Sequence, residues 1–156
     1  MTRLAVLAVL VAGCRAETPA VPLRDAGKGV AELRRMLADP DPEVQARGAF
    51  GLGLHRAAAA EAVADLLPLL RSAAPLARQN AALALGAVGP AATAAVPALT
   101  AALADPDWPV RRQAALALGA IGPDAKTAVS ALTKLDADPH GPVRVAAKEA
   151  RQKIGG

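Results

Sequence analysis

The sequence predicts an all-α fold, a right-handed α-solenoid of stacked helical hairpins, on three observations. Of 156 residues 53% are hydrophobic, and 42 of them are alanine, so the apolar character comes with high helix propensity and little bulk. One Phe, one Trp and no Tyr are too few rings for an aromatic-centred β-sandwich or a base-stacking sheet. Finally, the segment Ala-Asp-Pro opens at Ala38, Ala104 and Ala137, and a degenerate copy, RSAAPLA, opens at Arg71 on the same 33-residue period. Self-similarity at such a period is the mark of a repeat architecture.

The first element is an address. Residues 1–13 hold Arg3 and an apolar run from Leu4 to Ala12, too short for a bilayer core that needs roughly 20 helical residues, so they read as a secretory signal. Val11-Ala12-Gly13-Cys14 resembles the lipobox of bacterial lipoproteins, which implies cleavage before Cys14 and its acylation. Cys14 is the only cysteine, so no internal disulfide exists. The formal charge of +4 supports solubility without marking a nucleic-acid surface. Residues 14–24 carry two prolines and no apolar period and read as a tether.

Residues 25–156 are the repeat domain: a half unit at 25–37, then units near 38–70, 71–103, 104–136 and 137–156. Their columns recur: Val44, Ala77, Val110 and Val143; Leu52, Leu85 and Leu118; Gly53, Gly86 and Gly119; Val30, Val63, Val96 and Val129; Leu33, Leu66, Leu99 and Leu132. Each unit reads as two helices. The first opens at an acid beside a proline, Asp41-Pro42 or Asp107 with Pro109, and closes at Gly89-Pro90 or Gly122-Pro123, a left-handed cap before a residue that cannot continue the helix. The second carries valine and leucine at spacings of 3 and 4, a single apolar stripe. One hairpin cannot bury both its faces, whereas a stack can.

At the C-terminal end Lys148, Arg151 and Gln152 take the columns of Ala115, Leu118 and Gly119, which predicts a capping helix with one face in water. At the other end the interior glycines Gly48, Gly51 and Gly53 each cost about 0.5–1 kcal/mol relative to alanine, so this end is expected to be the least stable.

The unit from Ala104 to Gly122, ADPDWPVRRQAALALGAIG, resembles the short HEAT-like repeat of the type found in phycobilisome lyases, over nearly all of residues 25–156. The Thr-Pro-Leu-His turn of ankyrin and the aromatic positions of tetratricopeptide units are absent. That resemblance implies a concave face lined by the second helices and commonly used for binding.

Chemistry is scarce. His55, His140, Ser72 and Ser130 are the only histidines and serines, and neither a His-Glu-x-x-His pair nor a Gly-x-Ser-x-Gly elbow exists. The iron-binding His-Glu pairs of the HEAT-repeat enzyme deoxyhypusine hydroxylase have no counterpart, and bilin-lyase activity lacks both its compartment and its residues. No catalytic residue, metal or cofactor is expected, and His55 reads as a helix-end residue. The rival expectation is an envelope enzyme or cofactor carrier built on the histidines and scattered carboxylates.

Arg78, Arg111 and Arg144 share a column that Gln45 interrupts, and Arg111 and Arg144 follow Asp105 and Asp138 by six residues. They form either a basic ladder for an acidic partner or, as local charge balance favours, Asp–Arg pairs that tie each loop to its own helix and to the next unit. Trp108 stands where other units have Pro42, Pro75 and Gly141, in the loop before a first helix; it is either a binding hot spot or a ring over the adjacent proline. With Arg35, Glu61, Asp65 and Lys134 on the second helices it makes up the candidate surface for a protein or extended peptide. Nucleic acid is not expected, because export separates the chain from it and no aromatic platform could stack bases. The expected function is a non-enzymatic, lipid-anchored interaction scaffold of the bacterial envelope.

Overall fold

The structure is a computed structural model that describes residue 25 and residues 27–155; the expected signal peptide (1–13), Cys14 and the expected tether (14–24) lie outside the described residues. Among the described residues every regular element is helical. Helix α1 (Val30–Leu37) precedes four first-position helices, α2 (Pro42–His55), α4 (Pro75–Val88), α6 (Trp108–Ile121) and α8 (Gly141–Gly155). Between them lie α3 (Val63–Leu66), α5 (Val96–Ala102) and α7 (Val129–Lys134). Consecutive first-position helices pack on one another, α2 on α4, α4 on α6 and α6 on α8, which makes the array a solenoid.

The second helices are shorter than their apolar stripes suggest. Each starts as a 3₁₀ segment, Arg56–Ala62, Gly89–Ala95 or Gly122–Ala128, and becomes α-helical only at the valine column. Each segment packs between the first-position helices before and after it, and Ala59, Ala62, Ala92, Ala95, Ala125 and Ala128 are all fully buried. Any larger side chain would push that segment away.

The leucine columns form the core. Leu52, Leu85 and Leu118, with Leu33, Leu66, Leu99 and Leu132, are all 0% exposed, and one apolar cluster runs from Leu33 to Ile154. The stretch Pro75–Ala102 is long and apolar enough to cross a membrane, yet it breaks at Gly89 and half of its most apolar 18 residues are buried.

Close approach explains the glycines that helix propensity alone disfavours. A Cβ on Gly86 would lie 3.0 Å from Ala117 Cα, and one on Gly119 would lie 2.8 Å from Ala150 Cα. At Gly53 the backbone is less crowded: a Cβ would meet the Leu83 Cδ2 methyl at 2.6 Å, the end of a flexible side chain, and Ala84 Cα only at 3.5 Å. Gly48, facing Met36 Cβ at 2.8 Å and the Leu33 carbonyl at 3.0 Å, lets α1 settle on α2 as an N-terminal cover. These glycines are packing sites, which qualifies the expectation that they only weaken the N-terminal end. At the other end Lys148 and Gln152 are exposed, while Arg151 forms a bidentate pair with Asp136 at 2.8 Å.

Three first-position helices, α2, α4 and α6, end at positive φ, but the conformation differs from the expected left-handed helical cap. Gly89 (φ 73, ψ −137) and Gly122 (φ 81, ψ −143) are extended rather than helical in ψ. Arg56 takes the same place in the first unit, with φ 50 and ψ −129. A side chain there costs on the order of 1–3 kcal/mol, of which a glycine returns part to unfolded-state entropy. Arg56→Gly is therefore expected to raise stability by about 1 kcal/mol in chemical denaturation; a loss of stability would show that the arginine makes compensating contacts.

Candidate functional site

The loop before each first-position helix repeats one construction. Asp39, Asp105 and Asp138 accept, through Oδ1, the N–H two residues on, from Asp41, Asp107 and His140, each at 2.9 Å. Ser72 Oγ does the same for Ala74 at 3.3 Å. Six residues after the turn a long side chain of the helix donates back to the turn residue's carbonyl: Gln45 to Asp39 (2.7 Å), Arg78 to Ser72 (2.8 Å), Arg111 to Asp105 (2.8 Å) and Arg144 to Asp138 (2.7 Å). The three arginines use only Nη1 for this.

The rest of the guanidinium reaches into the next unit. Arg78 donates from Nε and Nη2 to the Asp105 carboxylate at 2.7 and 3.0 Å, and Arg111 holds Asp138 in the same way at 2.7 and 3.2 Å. The six-residue Asp–Arg spacing is thus served by a carbonyl, and the carboxylate belongs to the arginine 27 residues earlier. Asp107, the expected N-cap, makes no capping bond and instead accepts from Arg78 Nη2 at 2.7 Å, whereas Asp41 does cap, accepting from Glu43 N–H at 2.9 Å. At the first junction Gln45 and Ser72 stand in place of both ionic partners, so no charge is stranded there.

These pairs are buried, with the Asp105 and Asp138 side chains 7% and 4% exposed. The Arg111 hydrogen bond holds the Asp138 carboxyl below its ordinary range against burial, which pushes the other way, and the His140 N–H helps. The Arg78 guanidinium is held above its ordinary range by its bond to Asp105. Asn80, also buried, donates to the Ala46 carbonyl at 2.9 Å and adds a neutral bridge between α2 and α4.

Trp108 is the first residue of α6 rather than a loop residue. Its half-buried ring stacks on His140 of the next unit, with centroids 5.4 Å apart and planes 14° apart. His140 Nδ1 in turn lies 3.3 Å from both Asp138 Oδ1 and Arg111 Nη2. Trp108 therefore extends the ladder at the third junction. His55 ends α2 with its Nε2 2.8 Å from the Lys28 carbonyl.

The other candidate residues divide. Arg35 and Asp65 meet in an open groove of about 530 Å³ between α1 and α3, whose apolar floor includes Leu37, Pro68 and Leu69. Arg34, unremarked in the sequence, lines it too, donating from Nε to Asp65 at 2.6 Å with Glu61 3.6 Å from its Nη1. Its Asp65 bond raises the Arg34 pKa. Both side chains are over a third exposed, so this pair orients more than it stabilises. Glu61, Lys134 and Trp108 line no part of the groove. No group of three or more potential metal ligands exists among the described residues.

The sequence matches the family model for HEAT repeats twice, over residues 30–96 and 90–151. The chain is similar in structure to an engineered protein solved by crystallography, at 28% identity and a TM-score of 0.71, covering 80% of this chain and 62% of that one. A second engineered protein matches at 28% identity and 0.68, over 83% and 38%. A designed armadillo repeat protein in complex with the peptide (KR)4 matches at 18% identity and 0.72, over 80% and 64%. The chain spans less than two thirds of each of these structures. None of the curated proteins matches it.

A buried ion pair that loses one partner leaves an uncompensated charge, whereas losing both is far milder. Arg111→Gln is expected to cost about 3 kcal/mol, and adding Asp138→Ser, which copies the Gln45–Ser72 junction, to recover about half of it. Because the Asp138 pKa is depressed, the wild type's advantage over the double variant is full above about pH 4 and is lost as pH falls through the lowered value. Thermal melts of the variants across pH check both statements; additive losses in the double variant would contradict the first.

Proposed function

The chain belongs to the HEAT repeat family, and from that premise we propose that it is a non-enzymatic protein-binding scaffold held at a bacterial envelope membrane by a lipid on Cys14. The observation that carries the binding role is where the polar side chains go. Arg78, Arg111, Asp105 and Asp138 are consumed in holding units together, while the groove between α1 and α3 offers an apolar floor and the exposed Arg35. Its volume of about 530 Å³ and its openness to solvent suit a segment of extended chain crossing the array rather than an enclosed metabolite. The designed armadillo solenoid in complex with (KR)4 supports an extended peptide as the class of ligand.

The lipid anchor rests on the resemblance of Val11-Ala12-Gly13-Cys14 to a lipobox. A single acyl chain holds a protein only marginally, at about 0.8 kcal/mol per buried CH₂, whereas the two or three chains of a lipoprotein cysteine hold it firmly.

Each half of the proposal has its own test. Cys14→Ser is expected to move the protein from the membrane fraction to the soluble one or leave it unprocessed; a variant that is cleaved and fractionates like the wild type removes the anchor. Arg35→Glu with Ala64→Glu places two charges in the groove at exposed positions, so stability should change by no more than about 0.5 kcal/mol per site. Capture of envelope proteins by the solubilised chain should fall about tenfold or more. Unchanged capture would move the binding face elsewhere.

A further inference from the structure

We propose that the C-terminal end of the array is a receptor for an aspartate displayed in an Asp-Pro turn of a protein partner, gripped by Arg144 with Lys148 beside it. This surface lies at the other end of the array from the groove and does not depend on it. Arg144 is the last ladder arginine. At the two filled positions Nη1 rests on successive carbonyls of the arginine's own loop, Ser72 and Ala73 for Arg78, Asp105 and Pro106 for Arg111. So placed, Nε and Nη2 form a fork that an aspartate fills.

Arg144 is set in the same way, with Nη1 on the Asp138 carbonyl at 2.7 Å and on that of Pro139 at 3.2 Å. Its side chain is exposed, and no carboxylate among the described residues fills its fork. Gly141 replaces the proline or tryptophan of the other units, and a Cβ added there would sit 3.6 Å from Arg144 Nη2, so the approach to the guanidinium is open. One turn along, Lys148 takes the column of the buried Ala82 and Ala115, and Gln152 that of Gly86 and Gly119. Polar groups there reject a further apolar unit but accept an acidic one.

The two filled forks define the ligand. Each holds an aspartate followed by proline, Asp105-Pro106 or Asp138-Pro139, whose Oδ1 already accepts the N–H two residues on. That turn fixes the carboxylate plane before binding, and a guanidinium fork matches it with two parallel bonds. A second acid two residues on, as Asp107 is at Arg78, adds a contact within reach of the same cation cluster. The partner thus presents Asp-Pro-Asp, with its second carboxylate directed to the Arg144–Lys148 pair.

The probe is the peptide Ala-Asp-Pro-Asp-Pro-Glu-Val with blocked ends, titrated into the solubilised full chain while the backbone amide resonances of α8, present in wild type and variant alike, are followed. Saturable binding with a Kd on the order of 1 mM is expected. Arg144→Gln should weaken it about tenfold and added salt should weaken it further. Gln45 shows that glutamine keeps the loop-to-helix bond, so Arg144→Gln is expected to melt like the wild type. The Asp→Asn peptide should not bind. Absence of a saturable shift, or equal binding to Arg144→Gln, overturns the proposal. Sedimentation covers the remaining source of such a turn: self-association abolished by both Arg144→Gln and Asp39→Asn would identify Asp39-Pro40-Asp41 of a second copy as the occupant and overturn a separate partner.

Discussion

The rest of the structure depends on how closely consecutive first-position helices meet. An alanine-rich helix has little side chain to bury, so its stabilisation has to come from dispersion across a short interaxial distance and from water excluded over the whole contact. Gly86 against Ala117 and Gly119 against Ala150 bring backbone within reach of backbone, closer than any two larger residues permit. Leucines then fill the wedge between first and second helices, and fully buried alanines of the 3₁₀ segments close it. A core of this kind tolerates little change in volume, because each contact lacks slack.

Close stacking also places the electrostatics. Only when adjacent units sit in one register does an arginine of one helix meet the aspartate of the next loop, and the 27-residue connection is the same at the second and third junctions. Buried pairs of this sort are weak evidence for net stability, since desolvation offsets much of the attraction. Their value here is register: an array slipped by one turn would strand several buried charges. The first junction shows the converse, since Gln45 and Ser72 lack both charges together and the neutral Asn80–Ala46 hydrogen bond bridges α2 and α4.

Much of this was legible in the sequence. A period of 33 residues located the leucine and glycine columns, because identical packing problems recur with identical solutions. The proline and glycine punctuation located the first-position helices, and the polar substitutions at Lys148 and Gln152 marked the exposed end. Less was legible wherever the deciding contact joins distant residues. The Asp–Arg recurrence points to ties within a unit and to the next one, but not to which atoms serve which: the six-residue partner is a carbonyl and the carboxylate lies 27 residues on, since sequence proximity does not distinguish the two acceptors. The joint loss of charge at 45 and 72 was the signal that would have revealed it. The 3₁₀ winding of the second helices left no periodic trace, because alanine serves either helix type. Arg34 stands outside the recurrent columns, so nothing in the repeat singles it out, although its spacing to Asp65 on the following helix offers a partner. The repeat leaves Trp108 open between a binding hot spot and a ring over its neighbouring proline, because the ring it stacks on, His140, belongs to the next unit.

Functionally, an array whose buried Asn80, Asp105 and Asp138 serve its own junctions leaves its two ends and its grooves as the places where something else can be held. Helix contact is the premise for that division, and Gly119 tests it most directly. Alanine in place of an interior helical glycine raises helix propensity by about 1 kcal/mol, so propensity alone predicts a more stable protein. The added Cβ would lie 2.8 Å from Ala150 Cα, backbone that cannot rotate aside, and α8 would have to move off α6. The thermal melt of Gly119→Ala decides between the two: the steric contact of α6 with α8 lowers the Tm below that of the wild type, and an equal or higher Tm would show that propensity governs instead.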